Sequence, residues 1–111
     1  MKKKKLLLIA LLLVGAASSF AAKVDTLLVK SPSMNKDIKV VVVTPDAALG
    51  KKATACPTVY LLHGFGGHAK TWIEIKPNMP QSAAEKEIIF VCPDGSTSWY
   101  WDSPKDPSFR Y

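Results

Sequence analysis

Past residue 21 the chain alternates apolar runs with turn chemistry. Val24 to Lys30 and Ile38 to Thr44 are rich in valine, leucine and isoleucine, which predicts two strands. Ser31-Pro32-Ser33-Met34-Asn35-Lys36 between them is turn chemistry, so the strands are expected to pair antiparallel. Pro45 to Ala55 reads as a polar loop with Gly50 and two lysines. Thr58-Val59-Tyr60-Leu61-Leu62 then runs into His63 and predicts a buried strand, closed by Gly64, Gly66 and Gly67. Ala69 to Ile75 predicts a short helical turn that Pro77 stops, since the residue before proline avoids the α region. Asn78 to Glu87 predicts a helix, with Asn78 as cap, Pro80 in the first turn and Ala83-Ala84-Glu85-Lys86 as good formers. Ile88 to Cys92 predicts another buried strand, ended by Pro93-Asp94-Gly95. Ser96 to Tyr111 is an aromatic-rich loop with Pro104 and Pro107.

The order is hairpin, strand, helix, strand. A strand–helix–strand unit implies a parallel pair with a right-handed crossover. The predicted fold class is therefore α/β, a mixed sheet with an antiparallel first hairpin followed by parallel strands. Ligands of open α/β sheets sit at the C-terminal ends of the strands. Glycines there let the backbone turn sharply and approach a ligand closely, so chemistry is expected beside His63 to Gly67.

Charge and cysteine content refine this picture. Lys2 to Lys5, the apolar Leu6 to Val14 and the small residues from Gly15 read as a secretory signal peptide over residues 1–21, leaving 22–111 as the domain. The apolar run is short for a membrane span, so no stable membrane anchor and a secreted or periplasmic location are expected. Of the net +6, Lys2 to Lys5 contribute four, so the remainder carries about +2 with 11 basic and 9 acidic residues. No basic patch of the kind that binds nucleic acid follows residue 23. Cys56 and Cys92 invite a disulfide in an exported protein. In parallel strands with level C-termini, however, they would stand about 15 Å apart at ~3.3 Å per residue. A disulfide needs Cα atoms within about 7 Å, so two free, buried thiols are expected. His63 and His68, five apart, do not make a metal-ligand spacing, and no cofactor motif appears.

Four motifs, in order, carry a resemblance. Ser31-Pro32-Ser33-Met34 leading to Ile38–Pro45 looks like the opening of the esterase D / S-formylglutathione hydrolase-like group of α/β-hydrolases, which includes tributyrin esterases and the antigen 85 type. Tyr60-Leu61-Leu62-His63-Gly64-Phe65-Gly66-Gly67 resembles that group's third strand and oxyanion loop, with Trp72 following. Phe90-Val91-Cys92-Pro93-Asp94-Gly95 and Ser98-Trp99-Tyr100-Trp101-Asp102-Ser103-Pro104 resemble its next strand and loop.

The resemblance implies a secreted serine carboxylic-ester hydrolase acting on a small-molecule or carbohydrate-linked ester. An acyltransferase with the same site and a non-catalytic carbohydrate-binding module are the alternatives. In such folds a backbone N–H after the third strand helps bind the tetrahedral oxyanion. Here that donor is expected to be Phe65, with Gly66 next. The competing reading is a plain tight turn from strand to helix. The family's order also implies that the Thr58 strand lies between the Ile88 strand and a nucleophile strand. That strand is not in these residues, so one side of Thr58–His63 is expected to be an unpaired, strongly apolar edge of the kind natural proteins normally cover, and the chain reads as an N-terminal part truncated before the nucleophile elbow.

The elbow G-x-S-x-G is testable directly. The residues two after each glycine are Ala17, Lys52, Gly66, His68, Ala69 and Thr97, and none is serine. Ser96 and Ser98 lack a strand–serine–helix context and read as turn residues. His63 reads as a loop-ordering residue, not a general base, because the family's base follows its nucleophile. Asp94 and Asp102 likewise read as loop-ordering groups. Trp99, Tyr100, Trp101, Phe109 and Tyr111 are either pocket wall or ordinary core, and their place after a strand's C-terminal end favours the wall. The expected substrate-binding residues are His63, Gly64, Trp99, Tyr100 and Trp101.

Overall fold

The computed structural model describes residues 21–111, so the signal segment lies outside the described residues apart from its last position. Four strands form one sheet: β1 (Ala22–Ser31), β2 (Lys36–Pro45), β3 (Thr58–Tyr60) and β4 (Ile89–Pro93). Their spatial order is β1-β2-β4-β3. β1 and β2 pair antiparallel around the Pro32–Asn35 turn, with Leu27 opposite Val40. β2 pairs antiparallel with β4, placing Val41 opposite Cys92. β3 runs parallel to β4, with Val59 opposite Phe90. This mixed sheet is part of an α/β-hydrolase fold.

Two helices, α1 (Thr71–Ile75) and α2 (Met79–Lys86), connect β3 to β4. Side chains alternate faces along a strand. Val41 and Val43 of β2 therefore share a face with Cys92 and Phe90. Met79 and Ala83 of α2, Ala69, and Trp72 and Ile73 of α1 pack against that face. This is the core, and it is small. Val40 and Val42 point to the opposite face, with Leu27 and Val29 of β1 half-exposed beside Val40.

Three expectations need correction. β3 is not buried as its composition alone predicts: Thr58, Val59 and Tyr60 are all exposed, because only β4 pairs with it among the described residues, which is the unpaired edge that the family's strand order implies. It is also shorter than expected, although the Leu61 N–H still donates to the Val91 carbonyl at 2.9 Å. Asn78 occupies the N-cap of α2 without a side-chain cap bond; Pro80 does lie in the first turn. At the other end Glu87 takes the left-handed cap conformation more usual for glycine.

Candidate oxyanion-binding loop

The C-terminal ends of β3 and β4 lie side by side, so residues 63–67 and 94–100 meet. The turn after β3 closes when the Gly67 N–H donates to the Gly64 carbonyl at 3.0 Å. Gly66 sits third in this turn with φ +82°. That is the position where a type II turn needs positive φ, hence glycine. Gly67 is needed for a different reason: a Cβ there would lie 2.8 Å from His63 Nδ1.

His63 is buried, at 6% exposure. The Gly95 N–H donates to its Nε2 at 2.9 Å, and its Nδ1 lies 2.7 Å from the Gly64 carbonyl. An N–H can only donate, so Nε2 is the acceptor and Nδ1 carries the proton. The neutral ring thus joins the two loops, with neither nitrogen left for a substrate. The Asp94 carboxylate is 3.6 Å from Nε2, but its Oδ1 accepts the Ser96 N–H at 2.8 Å, forming an Asx-type turn. With the ring neutral, this approach is not an ion pair.

Tyr100 secures His63 a second time. Its hydroxyl accepts the His63 N–H at 2.9 Å and donates to the His63 carbonyl at 3.3 Å. Burial pushes the Tyr100 phenol above its ordinary value, against a lowering by the His63 backbone bond. The hydroxyl of buried Ser98 donates to the Gly95 carbonyl and accepts the Tyr100 N–H at 3.0 Å. Ser96, Trp99 and Tyr100 all hold positive φ, at 52°, 57° and 55°, a backbone conformation uncommon outside glycine. Ser98 is fully committed to turn hydrogen bonds, which fits a structural serine and not a nucleophile.

Backbone donors are left over in both loops: among the described residues the Gly64, Thr97 and Trp99 N–H groups have no acceptor, and two more lie inside the turn itself. Among the described residues, neither the Phe65 nor the Gly66 backbone N–H has an acceptor. Phe65 is 67% exposed and its ring stacks on Trp99 at 5.6 Å and 19°. His63, Gly64, Phe65, Ser96, Trp99 and Tyr100 line a narrow cleft here. Trp101 does not line it; it is exposed, and its carbonyl accepts the Tyr111 N–H. Phe109 and Tyr111 instead pack under the Lys36 ammonium, which donates to the Ser108 carbonyl at 2.8 Å. The aromatic cluster thus divides. Trp99 and Tyr100 reach the loop, while Phe109 and Tyr111 tie the chain to the start of β2.

The remaining titratable groups are local. His68 is exposed, with Nε2 3.4 Å from Glu74, a helical neighbour that its place in the sequence did not suggest. Among the described residues no three His, Cys, Asp or Glu side chains cluster as a metal site would require. Cys56 and Cys92 are free thiols, but only Cys92 is buried, and burial pushes it up; Cys56 is half-buried because it lies in the loop before the exposed β3. Asp102 is exposed and its segment bridges Arg110.

Comparison with known proteins bears on the family and the fold. The family model Esterase, described as "Putative esterase", matches residues 31–107. A solved ferulic acid esterase is 27% identical, with a TM-score of 0.65 over 84% of this chain and 39% of its own. FphF, a fluorophosphonate-binding serine hydrolase of Staphylococcus aureus solved with substrate bound, is 20% identical, with a TM-score of 0.66 over 80% of this chain and 36% of its own. An S-formylglutathione hydrolase from Agrobacterium tumefaciens is 20% identical, with a TM-score of 0.65 over 85% of this chain and 39% of its own. The chain therefore spans well under half the length of these solved proteins. No curated protein matches it. The family match runs from the hairpin turn through both meeting loops, and on that extent the chain belongs to the Esterase family.

Proposed function

We propose that this chain supplies the oxyanion-binding loop and one wall of the substrate cleft of a secreted serine carboxylic-ester hydrolase. The nucleophile, acid and base come from residues outside the chain. When a serine hydroxyl adds to the ester carbonyl carbon, the carbonyl oxygen gains negative charge. The Phe65 N–H then donates to it, with the Gly66 N–H as the alternative donor. The observation that carries this reading is the pair of acceptor-free N–H groups inside a turn that is closed by the Gly67 N–H on the Gly64 carbonyl and anchored by the His63 ring. A preorganised donor of this kind lowers the barrier by about 2.7–4 kcal/mol. The exposed Phe65–Trp99 stack offers a flat apolar surface beside the reacting carbonyl. The substrate is a small-molecule or carbohydrate-linked ester. The likeness to a ferulic acid esterase supports an ester.

The test uses the full-length enzyme that carries this segment, assayed on short p-nitrophenyl esters. Phe65→Pro removes the N–H at a position where a type II turn favours proline. It is expected to lower kcat by about 10²–10³-fold. Phe65→Ala keeps the N–H and is expected to act mainly on KM, through the lost stack. Equal losses in both variants would show that the ring, not the donor, matters. Robust turnover by the 111-residue chain alone would overturn the placement of the nucleophile. Product analysis with an added alcohol separates hydrolysis from acyl transfer.

A further inference from the structure

We propose that Tyr100 is a positioning residue, which aims the Phe65 N–H by clamping both backbone polar groups of His63. The inference deepens the ester-hydrolase reading and rests on it. The Tyr100 hydroxyl meets the N–H and the carbonyl of one residue at once, at 2.9 and 3.3 Å. That residue is two positions before Phe65. Its ring is fixed by the Gly95 N–H and the Gly64 carbonyl. The far end of the turn is fixed by the Gly67 N–H and by the packing of Gly67 on the His63 ring. Both flanks of Phe65 are therefore held, and the clamp on His63 is the one supplied from the other loop's side chain.

Tyr100 is itself held in place. Ser98 accepts its N–H, and its backbone takes the left-handed conformation together with Trp99. Its ring lies so close on Gly95 that a Cβ at that position would overlap it. Tyr111 packs edge-on at 6.1 Å. A tyrosine phenol ordinarily titrates at about 10, and burial raises this one further, so the hydroxyl keeps its proton, and its ability to donate, at the neutral pH where esters are assayed. Phenylalanine fills the same volume but can serve neither backbone group.

The test is Tyr100→Phe in the full-length enzyme. Misplacing an oriented group by about 1 Å can cost about 10²-fold in rate, so kcat is expected to fall about 10- to 100-fold with KM within about twofold. A purely structural role would lower the amount of folded enzyme and leave the kcat of the remainder intact. In the Phe65→Pro background, Tyr100→Phe should add little, because the donor it aims is gone; a fully additive loss would overturn the proposal. So would a kcat within about twofold of the parent enzyme's. Amide exchange supplies an independent reading. The His63 N–H should lose protection in Tyr100→Phe, and unchanged protection would overturn the clamp. If the parent enzyme hydrolyses no ester, the functional reading fails, and the exchange result still decides the clamp.

Discussion

Two regions at the β3–β4 side of the sheet are built in opposite ways. At the strands' C-terminal ends, residues 63–67 and 94–100 hold a buried histidine and a buried serine with every side-chain polar group partnered. Along the outer edge of β3, Val59, Tyr60 and Leu62 stand 38%, 68% and 50% exposed with no strand beside them among the described residues. The loops are specified by hydrogen bonds that the chain supplies itself. The edge is apolar surface whose stabilising contacts these residues do not provide. Natural proteins usually cover such edges, because an unpaired apolar strand invites pairing with another chain. Precise placement of polar groups at the loops therefore does not require a complete hydrophobic core.

The largest expected effect comes from comparing one residue type in two settings. Val43 is fully buried against Phe90 and the helices, whereas Val59 sits on the open edge. Val43→Ala is expected to cost about 2–3 kcal/mol in chemical unfolding of this chain, as a large-to-small core change does. Val59→Ala should stay within about 0.5 kcal/mol, as surface changes usually do. Equal costs would break the contrast and mean that something, such as a second copy of the chain, covers β3. Repeating the unfolding at several protein concentrations would reveal that copy.

A smaller effect is expected where the two loops touch. In Gly95→Ala the new methyl would overlap the Tyr100 ring. Overpacking of this kind costs about 1–3 kcal/mol. The displaced ring would also release His63, so the loss should appear in stability and, in the full-length enzyme proposed above, in kcat together. A variant with unchanged kcat would show that the loops tolerate separation.

Much of the sheet was legible in the sequence because its signals are local. Ile38 and Val40–Val43 announce a strand by composition, and Pro80, Ala83 and Ala84 announce a helix by position. The apolar run Thr58–Leu62 taken alone reads as a buried strand, because hydropathy reports what a residue prefers; the exposed edge follows only from the family's strand order, which leaves one side of that strand without a neighbour. The placement of Phe65 after a strand and among glycines was readable. The Tyr100 clamp was not, since it spans 37 residues and depends on which of three consecutive aromatics turns inward. A chemical cue existed all the same. Among Trp99, Tyr100 and Trp101, only the tyrosine hydroxyl can accept an N–H and donate to a carbonyl.

The smallest effect marks where satisfied hydrogen bonds stop contributing. Asp106 accepts the Ser108 N–H at 2.9 Å and its hydroxyl at 2.6 Å, and these bonds hold its carboxyl below the ordinary range. A depressed folded pKa stabilises the fold above the unfolded value of about 3.9, and that contribution fades as pH falls through the lower folded value. Asp106→Asn should therefore flatten the acid limb of the stability profile slightly and change nothing at neutral esterase pH. The carboxyl is fully exposed, so solvent screens the interaction and the shift should be near the limit of measurement. By geometry alone this turn is as well bonded as the His63–Tyr100 pair. If its removal cost as much as Gly95→Ala, hydrogen-bond count and not burial would set the stability of these loops, and the contrast with the β3 edge would need a different explanation.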